Sequence, residues 1–485
     1  MRRISPKVYG AFLLTLLYIG YYLGDPATPG NRFDACCASG WIGWWDQGRY
    51  YESAGALAAG NLDPARHWYP LGYAVLAAPF GFLRSHPFFP VDLVNLLSTY
   101  AAFILFARRV AITATVAAII FLLTGCLDSM LFKQWAIPWN TSPSAALIWG
   151  LLAVSAAYLQ GQRRPFLLGA LAGALPLIRP TDGIIGAICL VWLAATDLRA
   201  ARLRRRDLGL IIAGLALPVL PYAALYLAIY GLHPTAYMIN SGNIELTVHN
   251  PIWRACVLLI EPRQWFFAGS GILSRIPWLL LGFAGALWAW RKGGVLALLS
   301  VCLTAYCLFF LCYIDLLPTG LWRYFNVHYF KWTLPGFGLL GWLLLGDLRL
   351  RRRTAWVALA VVLILSCIRV TPRPAVPNEP AVAVDIPGPA ATEGNTTMNP
   401  ELAVADADGV ISNITMMRAF PFPSSNGVRL IALRRDFADP VDWRAGHGLD
   451  MPAGAPPQRR WAESIAIGFP CWLPPHICRK PVSAP

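Results

Sequence analysis

The chain has 485 residues, 57% of them hydrophobic and only 13% charged, with a formal net charge of +15. A soluble protein of this size could not hide so much apolar surface, whereas a polytopic membrane protein turns it toward lipid. The positive charge sits in short loops between apolar runs. That placement excludes a nucleic-acid partner and points to membrane topology.

A membrane-crossing helix needs ~20 apolar residues for a hydrocarbon core of ~30 Å. Runs near 8–24, 90–107, 110–126, 143–160, 208–230, 276–290, 294–314, 333–346 and 354–369 qualify, the shorter ones with aromatic flanks. The first run lacks a small-residue cleavage site and reads as an anchor helix. Basic clusters at Arg2, Arg3 and Lys7, at Arg108 and Arg109, at Arg163 and Arg164, at 199–206, at Arg291 and Lys292, and at 349–353 all fall on one side if 165–196 crosses twice. That side is expected to be cytoplasmic. The segment 165–196 then forms a hairpin with Leu177-Ile178-Arg179-Pro180-Thr181-Asp182-Gly183 at its tip. Each half of about 15 residues spans roughly 22 Å, so the tip is expected below the outer surface, facing a polar cavity. The expected fold is an all-α polytopic membrane protein with about 11 crossings, N-terminus inside and C-terminus outside. A membrane domain over 1–369 precedes a small, loop-rich, Pro-rich outward region over 370–485, where 428–433 is strand-like.

The polar information lies in the outward loops. The first, 25–89, holds Trp44-Trp45-Asp46-Gln47-Gly48-Arg49-Tyr50-Tyr51-Glu52 and then Ala65-Arg66-His67-Trp68-Tyr69-Pro70. Asp46 is expected to N-cap a helix ending at Gly60, and 70–83 to form a second helix lying along the outer interface. The loop 231–275 is expected to carry re-entrant or interfacial segments. The loop 315–332 offers Arg323, His328 and Lys331.

Asp46 serves either as a helix cap or as a general base on an attacking hydroxyl, and one residue can do both. Trp41, Trp44 and Trp45 either stack on a sugar ring or belong to the aromatic belt. Arg66, His67, Arg323, His328 and Lys331 are interface anchors or anion binders. Arg179 stands apart by its depth and by the proline-led helix start after it, a good phosphate site; its plain alternative is a salt bridge with Asp182. Asp128 and Lys133 read as a solvated loop pair unless Asp128 faces the site. The membrane-embedded cysteines read as apolar fillers, and Cys471 with Cys478 as a disulfide candidate.

The order of these motifs resembles the GT-C glycosyltransferases, polytopic enzymes that move a sugar from a polyprenyl-phosphate carrier at the outer membrane face. The likeness rests on the first helix, the run Trp45 to Ala54, the run Trp68-Tyr69-Pro70-Leu71-Gly72-Tyr73 and the hairpin Leu177 to Thr181. Aminoarabinose transferases and protein O-mannosyltransferases look similar in arrangement. The resemblance implies Asp46 as the catalytic base and Arg66 or His67 toward the donor phosphate; the residues read by themselves add Arg179, Arg323 and Lys331 as phosphate binders. Trp44, Trp45, Arg49, Tyr50, Glu52, Tyr69, Asp128, Asn140 and His328 are the expected substrate contacts. Relatives often hold a second acid beside the first, but Gln47 stands there, and Asn140 lies where many carry an acid in the second outer loop. A divalent cation therefore has little support, and no metal ligands are assigned. The expected activity is inverting transfer from a polyprenyl-phosphate sugar to an acceptor hydroxyl, at a bacterial inner membrane with membrane lipids around it. The rivals are a lipid-linked saccharide flippase and a non-catalytic subunit of a polysaccharide assembly system.

Overall fold

The computed structural model describes residues 6–31, 40–202, 204–235, 237–238, 255–260, 271–312, 321, 326–347, 357 and 361, and the backbone of five short strands between 369 and 468. Its first helix, α1 (Pro6–Gly24), leads into the loop 25–89, where α2 (Trp45–Ala58) and α3 (Leu71–Ala77) form. The polypeptide passes from α3 into a 3-10 turn, Ala78–Leu83, so the second surface element is a bent piece too short to cross. Gly60 follows α2 with φ +70°, the left-handed conformation that ends helices at little cost for glycine.

The next helices are α4 (Phe88–Arg109), α5 (Ala114–Cys126), α6 (Ser129–Ala136) and α7 (Thr141–Leu159). The expected hairpin follows as α8 (Pro165–Ile178), a single 3-10 turn at Pro180–Asp182, and α9 (Gly183–Arg199). Pro180 ends α8 because the residue before a proline is driven out of helical geometry, and Arg179 is extended, at φ −152° and ψ 107°. Then come α10 (Arg205–Tyr230), α11 (Leu279–Lys292), α12 (Gly294–Leu311) and α13 (Thr333–Asp347).

Among the described residues five helices are long and apolar enough to cross a membrane, or six if α5 and α6, bent by 94°, count as one. The eleven expected from hydropathy are not reached by that measure. With 14 residues each, α8 and α11 extend only about 21 Å. The run 348–368 lies almost wholly outside the described residues, as does most of the 239–270 loop.

Small residues set the closest helix contact. A Cβ on Gly169 would stand 2.1 Å from Ile211 O, and one on Gly214 2.1 Å from Phe166 O, so α8 and α10 meet backbone to backbone. Gly72 does the same for the site: its Cβ would lie 2.5 Å from Leu177 O, which seats α3 against the tip of the hairpin.

The basic loops gather at one end of the bundle. Arg109 reaches Gln162 at 2.7 Å, Arg163 reaches Asp197 and Asp207, and Lys292 reaches Asp347 at 3.0 Å. Helices α2 and α3 and the hairpin tip lie at the other end. In the C-terminal region the strand-like run becomes the central strand of a small antiparallel sheet. There β4 (Gly427–Ile431) pairs with β2 (Ala383–Pro387) and β3 (Pro421–Ser424), while β1 (Arg369–Arg373) pairs with β5 (Ser464–Gly468).

Candidate active site

The first turn of α2 carries Asp46, but not as its cap. Trp44 occupies the cap position with no side-chain bond, and the Asp46 carboxylate accepts the Tyr69 hydroxyl from across the loop. That corrects the capping expectation: an acid already inside the first turn is released from backbone duty. The Tyr69 ring lies 4.9 Å from Tyr50 and 5.3 Å from Tyr237, and Tyr50 meets Tyr73 edge-on at 5.1 Å. Asp46 is half-buried between these rings and solvent. Burial raises its carboxyl above the usual range, and the Tyr69 bond pulls it partly back. Trp44 packs partly buried against the core, whereas Arg323 and the side chain of Trp45 lie outside the described residues.

The hairpin tip supplies the opposing charge. Arg179 is buried, with Nη1 donating to Asp182 Oδ1 at 3.1 Å and to Tyr306 Oη at 3.0 Å. Its guanidinium lies over the rings of Tyr329, at 4.3 Å, and Phe310, at 5.1 Å. Among the described residues these bonds all run from Nη1, so the other edge of the fork is left for an acceptor. Asp182 also accepts from Ser144 Oγ at the start of α7. The salt-bridge alternative for Arg179 is thus realised, and it orients the side chain without using every donor. Gly72, close after Tyr69, seats α3 against Leu177 O, two residues before Arg179, which brings the loop of the Asp46–Tyr69 pair to the hairpin tip.

Beside them, Lys331 is buried and donates to Gln134 O at 3.1 Å and Ser142 Oγ at 2.6 Å, with its ammonium 4.7 Å from the Trp135 ring centroid. Burial pushes it down to about 7, with Asp92 opposing and Arg179 adding to the fall. His328 stacks on Trp139 at 3.8 Å and 6°, and its Nδ1 meets Thr141 Oγ1 at 3.2 Å. Burial, then Arg179 and Lys331, hold it well below 6.5, hence neutral at pH 7. Asn140 is buried at the start of α7, and Gln47 ties α2 to this layer through Pro138 O at 3.2 Å.

The remaining candidates stand elsewhere or serve the frame. Glu52 bridges Arg49 and Arg66, both at 2.9 Å, and Arg49 also lies over Trp68. His67 uses both ring nitrogens, on Ser53 Oγ at 2.8 Å and Asn61 O at 3.1 Å, and its carbonyl accepts Tyr230 Oη. It acts as a strut of the loop. Asp128 and Lys133 are not a solvated pair: Asp128 caps α6 and lies 3.7 Å from Arg275, while Lys133 reaches Asp25 at 2.7 Å. Sequence reasoning missed Asp92, buried on α4 and bonded by Tyr73 at 2.8 Å. An acid one turn into an apolar helix was the available signal. The aromatic wall of Tyr306, Phe310 and Tyr329 gave none, because α12 supplies the first two and the 3-10 turn Asn326–Phe330 the third.

The position beside Asp46 is an amide already bonded to Pro138 O, and among the described residues no group of three or more His, Cys, Asp or Glu is placed to hold an ion.

No protein-family model matches the chain, and no curated protein matches it in sequence. Its fold is similar to crystal structures of ArnT from Cupriavidus metallidurans. With undecaprenyl phosphate bound, that protein shows 17% identity and a TM-score of 0.48, the match covering 73% of this chain and 63% of the other. In the apo state the values are 16%, 0.47, 73% and 62%. The apo oligosaccharyltransferase of Archaeoglobus fulgidus gives 13% identity and a TM-score of 0.46, over 74% of this chain and 54% of that one. The chain therefore spans less than two thirds of each protein that it resembles, and the functional reading rests on its own side chains.

Proposed function

We propose that this chain is a membrane glycosyltransferase that takes a sugar from a polyprenyl-phosphate donor and passes it to an acceptor hydroxyl at the outer face, with inversion. The observation that carries this reading is the half-buried Asp46 carboxylate, held by Tyr69 on the loop that Gly72 seats against the hairpin tip with its buried Arg179 guanidinium. An acid open to solvent on one side and a cation set in aromatic walls on the other suit a substrate with a polar head and a lipid tail.

In this mechanism the acceptor O–H gives its proton to Asp46 as its oxygen bonds the anomeric carbon. The bond from that carbon to the phosphate oxygen breaks, and the electron pair leaves with the polyprenyl phosphate. Arg179 and Lys331, with Arg323 as the third cation of the proposal, face the phosphate charge that develops. Fixed cations in a water-poor site stabilise such charge more than they would in water. Tyr50, Tyr69 and Trp44 form the shelf for the sugar. Glu52, Arg49 and Arg66 hold the loop that carries the base.

The test is release of polyprenyl phosphate from a polyprenyl-phosphate sugar by the purified chain in liposomes. Asp46→Asn is expected to fold normally and lose ~10²–10⁴-fold in rate, the usual worth of a general base. Wild-type turnover by that variant overturns the assignment of the base. Labelled donor crossing sealed vesicles with no covalent product would assign a flippase instead.

A further inference from the structure

At the opposite end of the bundle, a cavity of about 460 Å³ opens between the ends of α7 and α9 and the loop that leads into α10, lined among others by Tyr158, Arg163, Thr196, Asp197, Arg202 and Arg204. We propose that it binds the phosphate-bearing headgroup of an anionic phospholipid, whose acyl chains lie along α9 and α10. This goes beyond the transferase reading and does not depend on it.

Charge accounting inside the cavity favours an anion. Arg163 is neutralised twice, by Asp197 at 2.8 Å and Asp207 at 2.6 Å, and Tyr158 Oη bonds the same Asp197 at 2.7 Å. This cluster is the frame. Arg202 and Arg204 are exposed, and among the described residues neither makes an ion pair. Three guanidiniums against two carboxylates leave a surplus of one positive charge, and it falls on the side of Arg202 and Arg204. The rim is also fixed: Ala201 turns at φ 50°, Arg202 N donates to Asp197 O at 2.8 Å, and Arg163 Nη1 donates to Arg202 O at 3.3 Å. Guanidiniums on a braced rim lose less freedom when they close on phosphate oxygens.

Depth points to a lipid as the source of that phosphate. The cavity lies where three helices of membrane-crossing length and apolarity stop or start: Thr141–Leu159, Pro180–Arg199 and Arg205–Tyr230. Its mouth is thus at headgroup level. Below it, Leu198 on α9 and Leu208 and Ile212 on α10 are exposed, and α10 presents most of its length outward. A free phosphate would use the arginines and leave that apolar track unused. A choline headgroup would bring a cation toward Arg202 and Arg204.

The experiment measures binding to the full chain, delipidated in detergent, by native mass spectrometry and by the shift in thermal unfolding midpoint. The probes are phosphatidylglycerol, phosphatidylcholine with the same acyl chains, and inorganic phosphate. Phosphatidylglycerol is expected to bind at least 10-fold more tightly than either of the others and to raise the midpoint. Replacing both Arg202→Ala and Arg204→Ala should weaken phosphatidylglycerol about 30-fold, from ~1 kcal/mol per basic residue near a membrane surface. The paired Arg202→Lys and Arg204→Lys variant should keep most of the affinity. Equal binding of phosphatidylcholine, or equal binding of phosphate alone, overturns the proposal without reference to any variant. Undiminished phosphatidylglycerol binding by the alanine pair overturns it as well.

Discussion

Arg163 and Arg179 sit at opposite ends of the same hairpin and meet opposite treatment. Arg163 is held by two carboxylates and a tyrosine ring at the rim of a cavity. Arg179 is more deeply buried, has one carboxylate, and is otherwise walled by phenol and phenyl groups. The first arrangement is charge-saturated and suits a fastening. The second keeps donors in a low-dielectric setting, where one more anion is welcome. Lys331 extends the contrast, since its described hydrogen bonds go to neutral oxygens.

The contrast can be broken by mutation. Arg179→Ala strands Asp182 in the interior and should cost about 3–5 kcal/mol of stability. Arg163→Ala leaves its two carboxylates nearer to water and should lower the unfolding midpoint less. Equal midpoints for the two variants would remove the distinction between fastening and site.

The pH profile sharpens the same point. A raised Asp46 must lose its proton to act as base, so transfer should fall on acidification at a higher pH than an ordinary carboxylate would give. Lys331, near 7, loses its charge as pH rises through that value, so transfer should fall again on the alkaline side. Lys331→Arg keeps the cation at every working pH and should abolish the alkaline limb, read from donor turnover between pH 5 and 9. An unchanged alkaline limb in that variant would remove Lys331 from the site.

Tyr69→Phe deletes the bond that draws the Asp46 carboxyl downward, so the acid limb should move to higher pH. A limb that stays put would mean that the tyrosine only packs. The smallest effect is expected at the loop bridge. Glu52→Gln breaks two exposed ion pairs and should change stability by ~0–1 kcal/mol, measurable as a small shift in midpoint.

Several elements were legible because they depend on local rules. The hairpin break at Arg179 followed from loop arithmetic and Pro180, and Gly60 from its place after an amphipathic run. The gathering of Arg109, Arg163 and Lys292 at one end was readable from where basic residues interrupt the apolar runs. Other assignments failed because the partner is far away in sequence. Nothing near Asp46 announces that Tyr69 takes its carboxylate, or that Lys133 belongs to Asp25 rather than to its neighbour Asp128. His67 looked like an anion binder because the sequence does not disclose that Ser53 and Asn61 occupy its nitrogens.

Periodicity, apolar length and the spacing of charge thus determined the class of the molecule, its broken hairpin and the end at which its polar loops collect. These are one-dimensional quantities, set by the thickness of a bilayer and the cost of moving a charge across it. Only the tertiary structure decided which charges are fastened and which are kept available. That depends on which carboxylates, rings and carbonyls distant segments bring within about 3 Å, where desolvation and hydrogen bonding act.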